Sequence, residues 1–329
     1  MATIEKWYET LLASGRVCNI QLSGGEPTLR DDLPDIVALG RSKGFGFIQI
    51  NTNGLRLGVD PAYATRLKEA GVASVFLQFD GVDEDVYRRL RGRDRLKSKL
   101  AAIEACRERE IGVVLVPTVV PGVNDRELGS IVKFAFENLD VVRGVHFQPV
   151  SYFGRYPQAP SNTDRITIPE VIRKLEVQTG GLIASQAFRP PGCENALCSF
   201  HGTFVLMPDG SVKALTSHAS DCRCGPEQAS EGASKTRRFV AQNWAQTKNP
   251  TSSDPCSGFA MGEWDILLQR AFTHKLCISG MAFQDVWNID LDRLRDCCIH
   301  VVARDDRLIP FCAYNLTSSA GRPLFGRGQ

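Results

Sequence analysis

Residues 17–29 read Val17-Cys18-Asn19-Ile20-Gln21-Leu22-Ser23-Gly24-Gly25-Glu26-Pro27-Thr28-Leu29. An apolar run stops abruptly at two glycines, a carboxylate and a proline. A buried strand ending in a loop with exposed backbone has this form, because glycine admits close approach and backbone angles that other residues refuse. The event recurs along the first half of the chain. Phe45 to Ile50 runs into Asn51-Thr52-Asn53-Gly54, and Ser74 to Phe79 carries Gln78 and gives way to Asp80-Gly81. Val113 to Val120 contains Pro117-Thr118, and Val142 to Val150 ends around Gln148-Pro149. These runs lack the polar alternation of a half-solvated sheet, as expected of parallel strands covered on both faces.

Helical patterns separate the runs. Ile4 to Ala13 precedes the first, and Asp32 to Ser42, Pro61 to Ala70, Glu84 to Glu110 and Asp125 to Asn138 follow in turn. The spacing between strand ends is about that of a βα unit. Strand alternating with helix implies a parallel sheet, doubly wound or barrel-like, whose chemistry sits past the carboxyl ends of the strands. The candidate ligand-binding residues there are Ser23, Gly24, Gly25, Glu26, Asn51, Asn53, Gln78, Asp80 and Gln148. Singly, each loop could be only a turn. Together they form a polar rim suited to a nucleoside-like ligand with an amino and a carboxylate group. No Walker lysine or Gly-x-Gly-x-x-Gly appears, so a phosphate cradle is not indicated.

Composition narrows the classes. The 329 residues are 43% apolar and 23% charged, with a formal net charge of +2, which makes no case for a dedicated nucleic-acid binder. No apolar run approaches the roughly 18 residues of a membrane span, and the first residues lack a secretory pattern, so a cytoplasmic location is expected. Of 11 cysteines, nine lie from Cys193 to Cys312. In a reducing compartment, clustered thiols hold metal more often than they form disulfides.

The segment Leu22 to Leu29, followed by Asn51-Thr52-Asn53-Gly54, resembles the radical S-adenosylmethionine (radical SAM) superfamily. The segments Phe76 to Asp80, Gly144 to Pro149 and Phe283 to Trp287 resemble more narrowly its cysteine-rich branch, which includes pterin-methylating enzymes and TrsS-type (seleno)proteins. The resemblance implies a partial (β/α)6 barrel over residues 1–180, with a smaller cysteine-rich α+β domain over 181–329. It implies that the Gly-Gly-Glu-Pro loop binds the amino group of SAM and that later strand ends complete the contacts. It also implies a [4Fe–4S] cluster that reductively cleaves SAM to a 5′-deoxyadenosyl radical, a small-molecule substrate, an electron donor and, in this branch, carbon methylation.

One departure from the family is plain. Its cluster is held by a Cys-x3-Cys-x2-Cys loop after the first strand, and no such motif occurs in this sequence. The expectation is a chain lacking that strand and loop through a frameshift, a misplaced start or a UGA codon read as stop, and therefore unable by itself to cleave SAM. The alternative is a non-catalytic SAM- or metal-binding barrel that acts as partner in a redox or maturation complex.

In the tail, Cys277, Cys297, Cys298 and Cys312 make the four thiols that a second [4Fe–4S] cluster needs, and Cys193-x4-Cys198 offers a further pair. Zinc, redox thiols and inert packing are the competing readings. Adjacent cysteines on a strand face opposite ways, so Cys297 and Cys298 can share a metal only if they lie in a turn. Phe204 to Lys213 reads as a hairpin turning at Asp209-Gly210, and Cys298 to Ala303 with Leu308 to Phe311 as a strand pair. Thr216 to Lys235 and Thr247 to Gly258 read as loops. The basic run Arg88 to Lys99 reads as a solvated face, and His146 as either a packed or a catalytic histidine.

Overall fold

The computed structural model describes residues 1–15, 18–154, 158–190, 194–216, 229–245, 262–318 and 322–325. The chain runs α1 (Ala2–Ala13), β1 (Ile20–Leu22), α2 (Leu33–Ser42), β2 (Ile48–Thr52), α3 (Pro61–Glu69), β3 (Ser74–Gln78), α4 (Glu84–Arg91), α5 (Leu96–Glu108) and β4 (Gly112–Val116). It continues with β5 (Thr118–Val119), α6 (Leu128–Glu137), β6 (Val142–Pro149), α7 (Ile168–Gln178), β7 (Ser199–Leu206), β8 (Val212–Ala214) and α8 (Ala229–Trp244). The last elements are α9 (Glu263–Thr273), β9 (Lys275–Met281), α10 (Leu291–Arg295), β10 (His300–Val302), β11 (Leu308–Pro310) and α11 (Phe311–Tyr314).

One sheet organises the molecule, in the order β1-β2-β3-β4-β6-β9-β7-β8, with β5 pairing beside β6. Neighbours from β1 to β9 are parallel, while β7 pairs antiparallel with β9 and with β8. It is an open α/β sheet of the partial-barrel kind, as the strand–helix alternation implies. The sheet does not stop at residue 180: β7, β8 and β9 extend it from the tail. The hairpin turning at Asp209-Gly210 joins β7 to β8, and β10 pairs with β11 as the sequence implies.

Alternation along the strands separates two faces. Ile48, Ile50, Val75, Leu77, Val113, Leu115, Val145 and Phe147 are buried in one apolar core with helix residues such as Val37, Leu67, Ile103 and Ile131. Each such side chain stabilises the fold by about 1.5–3 kcal/mol when fully buried. The opposite face carries Gln49, Phe76, Val114, Val116 and His146, with Phe76, Val114 and Val116 in a small cluster of their own.

Two elements depart from the sequence reading. The helix expected from Glu84 to Glu110 is two helices, because Gly92 adopts φ +69° and its N–H caps the Arg88 carbonyl. A left-handed residue ends a helix, and glycine does so without steric cost. Residues 229–235, read as part of a loop, begin helix α8. The remainder of that loop from 217 to 228, and all of Thr247 to Gly258, lie outside the described residues.

Candidate active site at the strand ends

The first rim loop leaves β1 as Ser23-Gly24-Gly25, all exposed, and Gly24 takes φ +139°. A Cβ placed on Gly24 or Gly25 would meet nothing within 4 Å, so the backbone there is open to a ligand. Glu26 caps the short 3-10 turn over Pro27–Leu29. Its Oε1 accepts from the Thr28 N–H (3.1 Å), Thr28 Oγ1 (2.6 Å) and Thr52 Oγ1 (2.6 Å), and its Oε2 accepts from the Asn53 N–H (2.7 Å). Glu26 therefore latches the end of β1 to the end of β2, with one oxygen carrying a single protein donor. Arg56 holds the loop from outside, donating to the Thr28 carbonyl at 2.8 Å and to Asp31 at 2.6 Å.

The second loop is anchored in the same manner. Asn51 donates to Ser23 Oγ at 3.4 Å, Asn53 Oδ1 accepts from the Leu55 N–H at 2.9 Å, and the Asn53 carbonyl accepts from Lys99 at 2.6 Å. Gly54 at φ +78° lies so close to Leu77 that a Cβ would stand 2.5 Å from its Cδ1. Lys99 is 2% exposed, and burial above all pushes its ammonium down to about 8, with the Asp80 charge opposing that shift.

Asp80 takes a place the sequence did not foresee. Expected as a ligand contact, it is fully buried and accepts from Arg91 Nε at 2.9 Å and Nη2 at 3.0 Å, while Oδ1 also accepts from the Thr118 N–H at 3.3 Å. Its oxygens are thus occupied by the scaffold. Gln78 also turns to Arg91: with its amide oxygen toward the guanidinium it accepts from Nη1 at 2.9 Å. Asn124, fully buried, donates to the carbonyls of Asp80 and Thr118, both at 2.8 Å, and so joins two strand ends. Gln148 is half-buried on β6, beside Thr118 of β5 in register. Sequence reasoning missed Thr52, Arg91, Lys99 and Asn124. The only signal for Arg91 and Lys99 was their place in a basic run that otherwise reads as solvated.

Farther along the sheet, Gly144–Cys277 and His146–Ser279 are in register between β6 and β9, and Ser279 is in register with His201 of β7. His146 Nδ1 lies 2.9 Å from Ser279 Oγ. Burial pushes the imidazole down to about 4, so it is neutral near pH 7. Phe76 lies 5.2 Å from it, and Trp244 of α8 stacks on Phe76 at 5.7 Å, centroid to centroid. The opposite face of the sheet is thereby walled by aromatic rings.

The expected metal set is rearranged. Cys277 is buried in the middle of β9, paired in register with Gly144 and Thr203, away from the other tail thiols. Cys297, Cys298 and Cys312 instead share a pocket with Cys198. Cys193 lies outside the described residues. Among the described residues, no three His, Cys, Asp or Glu side chains stand close enough to hold a single metal ion. No described helix is long and apolar enough to cross a membrane.

Open glycine backbone, a half-free carboxylate and strand-end amides fit the amino-acid and ribose ends of SAM. Among the described residues the same rim has no trio of thiols, so these residues do not fit the cluster that chelates SAM. The model of the radical SAM superfamily matches residues 1–135. Over 337 aligned residues the chain is 37% identical to the 7,8-dihydro-6-hydroxymethylpterin dimethyltransferase of Methanocaldococcus jannaschii, covering 90% of this chain and 66% of that protein. It is 32% identical over 122 residues to the GTP 3′,8-cyclase of Erythrobacter litoralis, covering 36% of each. A solved structure, native anSMEcpe with bound AdoMet and Kp18Cys peptide, aligns with 54% of this chain and 50% of its own at 18% identity and a TM-score of 0.42. The chain belongs to the radical SAM superfamily. It spans just under two thirds of the pterin dimethyltransferase and about a third of the cyclase.

Proposed function

We propose that this chain forms the SAM-binding and substrate-facing part of a radical SAM enzyme that methylates carbon on a reduced, pterin-like heterocycle. One observation carries the reading. The similarity to the pterin dimethyltransferase runs over 90% of the chain and so reaches well past the first 180 residues, whereas that to the Erythrobacter litoralis cyclase covers 36%. Ser23, Gly24, Gly25 and Glu26 hold the methionine end of SAM, and Asn51, Asn53 and Gln148 face its remaining polar groups. Lys99 keeps the Asn53 loop in position, and neutral His146 stands at the substrate face as a hydrogen-bonding group. SAM and its cluster supply, when bound, one-electron cleavage of a carbon–sulfur bond. The protein contributes orientation and exclusion of water. A small-molecule substrate, an electron donor and a cytoplasmic setting complete the proposal.

Two measurements test it. Equilibrium dialysis against labelled SAM should show retention near one per chain. Anaerobically reconstituted protein should form 5′-deoxyadenosine and methylate 7,8-dihydro-6-hydroxymethylpterin only when a Cys-x3-Cys-x2-Cys segment is joined ahead of β1. No retention of SAM overturns the binding site. 5′-Deoxyadenosine without methylated pterin overturns the substrate class, and its formation by these 329 residues alone overturns the placement of the cluster ligands elsewhere.

A further inference from the structure

A row of polar side chains crosses the sheet on the face opposite the apolar core. His146 of β6 is in register with Ser279 of β9, Ser279 with His201 of β7, and His201 with Arg189, its partner in an isolated antiparallel bridge. Arg189 and His201 exchange backbone N–H bonds at 2.9 and 2.8 Å, so their side chains leave the sheet on one side. Phe188, Phe200 and Phe204 pack together in the core on the other side. The row lies two residues in from Gln148, one step below the rim. Helix α8 covers it, with the Trp244 ring 6.0 Å from His146 and the Phe239 ring 6.2 Å from His201, centroid to centroid.

The two ends of the row differ. At one end His146 Nδ1 is matched with Ser279 Oγ at 2.9 Å. At the other, donors go unmatched. Among the described residues, five buried side-chain nitrogen or oxygen atoms have no hydrogen-bond partner, and three of them are Arg189 Nε, Arg189 Nη2 and His201 Nδ1. Buried polar groups are almost always paired, and an unpaired charged donor is the costliest exception.

The chemistry of the partner follows from these donors. A guanidinium donates and never accepts, so the partner is an acceptor, and burial favours one of negative charge. Nε and Nη2 form an edge that offers two parallel N–H bonds to a pair of oxygens. The same edge of Arg91 holds Asp80 at 2.9 and 3.0 Å, and that of Arg30 holds Asp32 at 2.8 and 2.7 Å. Arg189 turns this edge to no carboxylate among the described residues. Burial, and then the Arg189 charge, hold the His201 imidazole below its usual range, so near pH 7 it is uncharged and its Nδ1 can carry one further N–H.

We propose that Arg189 and His201 form a subsite for an oxyanion, a carboxylate or phosphate group gripped by the Nε–Nη2 edge with His201 Nδ1 as third donor. The subsite rests on the heterocycle reading only for what carries the anion. 7,8-Dihydro-6-hydroxymethylpterin has no anionic group, and the methionine end of SAM is placed at the β1–β2 rim. The oxyanion is therefore either an acidic substituent on the ring or a separate ligand.

Isothermal titration of the full chain separates these sources. Inorganic phosphate, acetate, 6-hydroxymethylpterin and 6-carboxypterin are titrated into the parent, Arg189→Gln and Arg189→Lys. With the anion joined to the ring, 6-carboxypterin should bind the parent about tenfold more tightly than 6-hydroxymethylpterin, and Arg189→Gln should erase that advantage. With a separate anion, the two pterins bind alike, and phosphate or acetate binds the parent about tenfold more tightly than Arg189→Gln. Arg189→Lys keeps the charge but not the fork and should fall between. His201→Phe keeps a flat ring without Nδ1 and should weaken the same anion about fivefold; unchanged binding overturns the part given to His201. No Arg189-dependent binding of phosphate, acetate or 6-carboxypterin overturns the subsite. Failure of both pterins to bind, with phosphate or acetate still held through Arg189, overturns the heterocycle reading and leaves the subsite standing. A readout on stability separates a ligand-binding arginine from a structural one. Ligand-free Arg189 is buried without a partner on this edge, so Arg189→Gln should not lower the urea midpoint. A lowered midpoint would show that the fold itself satisfies the guanidinium, and overturns the subsite.

Discussion

The ends of β1–β3 and the β6–β9–β7 end of the same sheet are built on different principles. At the first, charged and polar side chains are locked by short links: Glu26 to Thr28, Thr52 and Asn53, Arg91 to Asp80, Lys99 to the Asn53 carbonyl. At the second, His146 and Ser279 form a neutral pair beside aromatic rings, and the strand that brings Ser279 comes from 133 residues away. A site for a charged amino acid needs fixed dipoles and carboxylates. A site for a flat apolar ring needs shape and exclusion of water.

Substitutions can break this contrast, the largest first. Arg91→Ala leaves the Asp80 carboxylate buried without its partner, and removing one member of a buried pair costs about 3–5 kcal/mol. With Arg91 itself 35% exposed, a loss near the lower bound is expected in urea unfolding. A loss below about 1 kcal/mol would show that the first rim is not locked by this pair. Glu26→Gln keeps the shape but removes the charge. It should cost about 1–2 kcal/mol and weaken SAM retention about tenfold. Lower stability with unchanged SAM affinity would make Glu26 a latch only.

Two pH experiments sharpen the contrast further. His146 falls from 6.5 to about 4 on folding, so the unfolded chain binds more protons between those values. Stability is therefore lost as pH falls through that window, and His146→Gln should flatten this part of the urea-midpoint profile relative to the parent. Lys99 falls from 10.5 to about 8, so stability rises as pH goes from about 8 to 10.5, and Lys99→Met should remove that rise. Parallel profiles for parent and variant would show that the group is hydrated after all.

The strand ends were legible because each candidate follows directly on its own apolar run. Ser23 to Glu26 and Asn51 to Asn53 needed no knowledge of other segments to be placed on one rim. Asp80 was legible as a position but not as a role, since its partner Arg91 sits on a helix whose break at Gly92 was read as continuous. The tail was legible only as an excess of cysteine. Nothing local distinguishes Cys277, sealed within β9, from Cys312 in the pocket, nor marks Cys198 as its companion.

By itself the sequence determined the parallel α/β class, a polar rim at the strand ends and a tail rich in thiols. These follow from short-range patterns: apolar runs, glycine loops and counts. Tertiary structure alone decided that β9 inserts between β6 and β7, that Trp244 lies against Phe76, and which four thiols meet. The physical reason is that strand order and thiol convergence depend on which distant segments bury one another's apolar surface, and residue type at one position does not encode its partner across a hundred others.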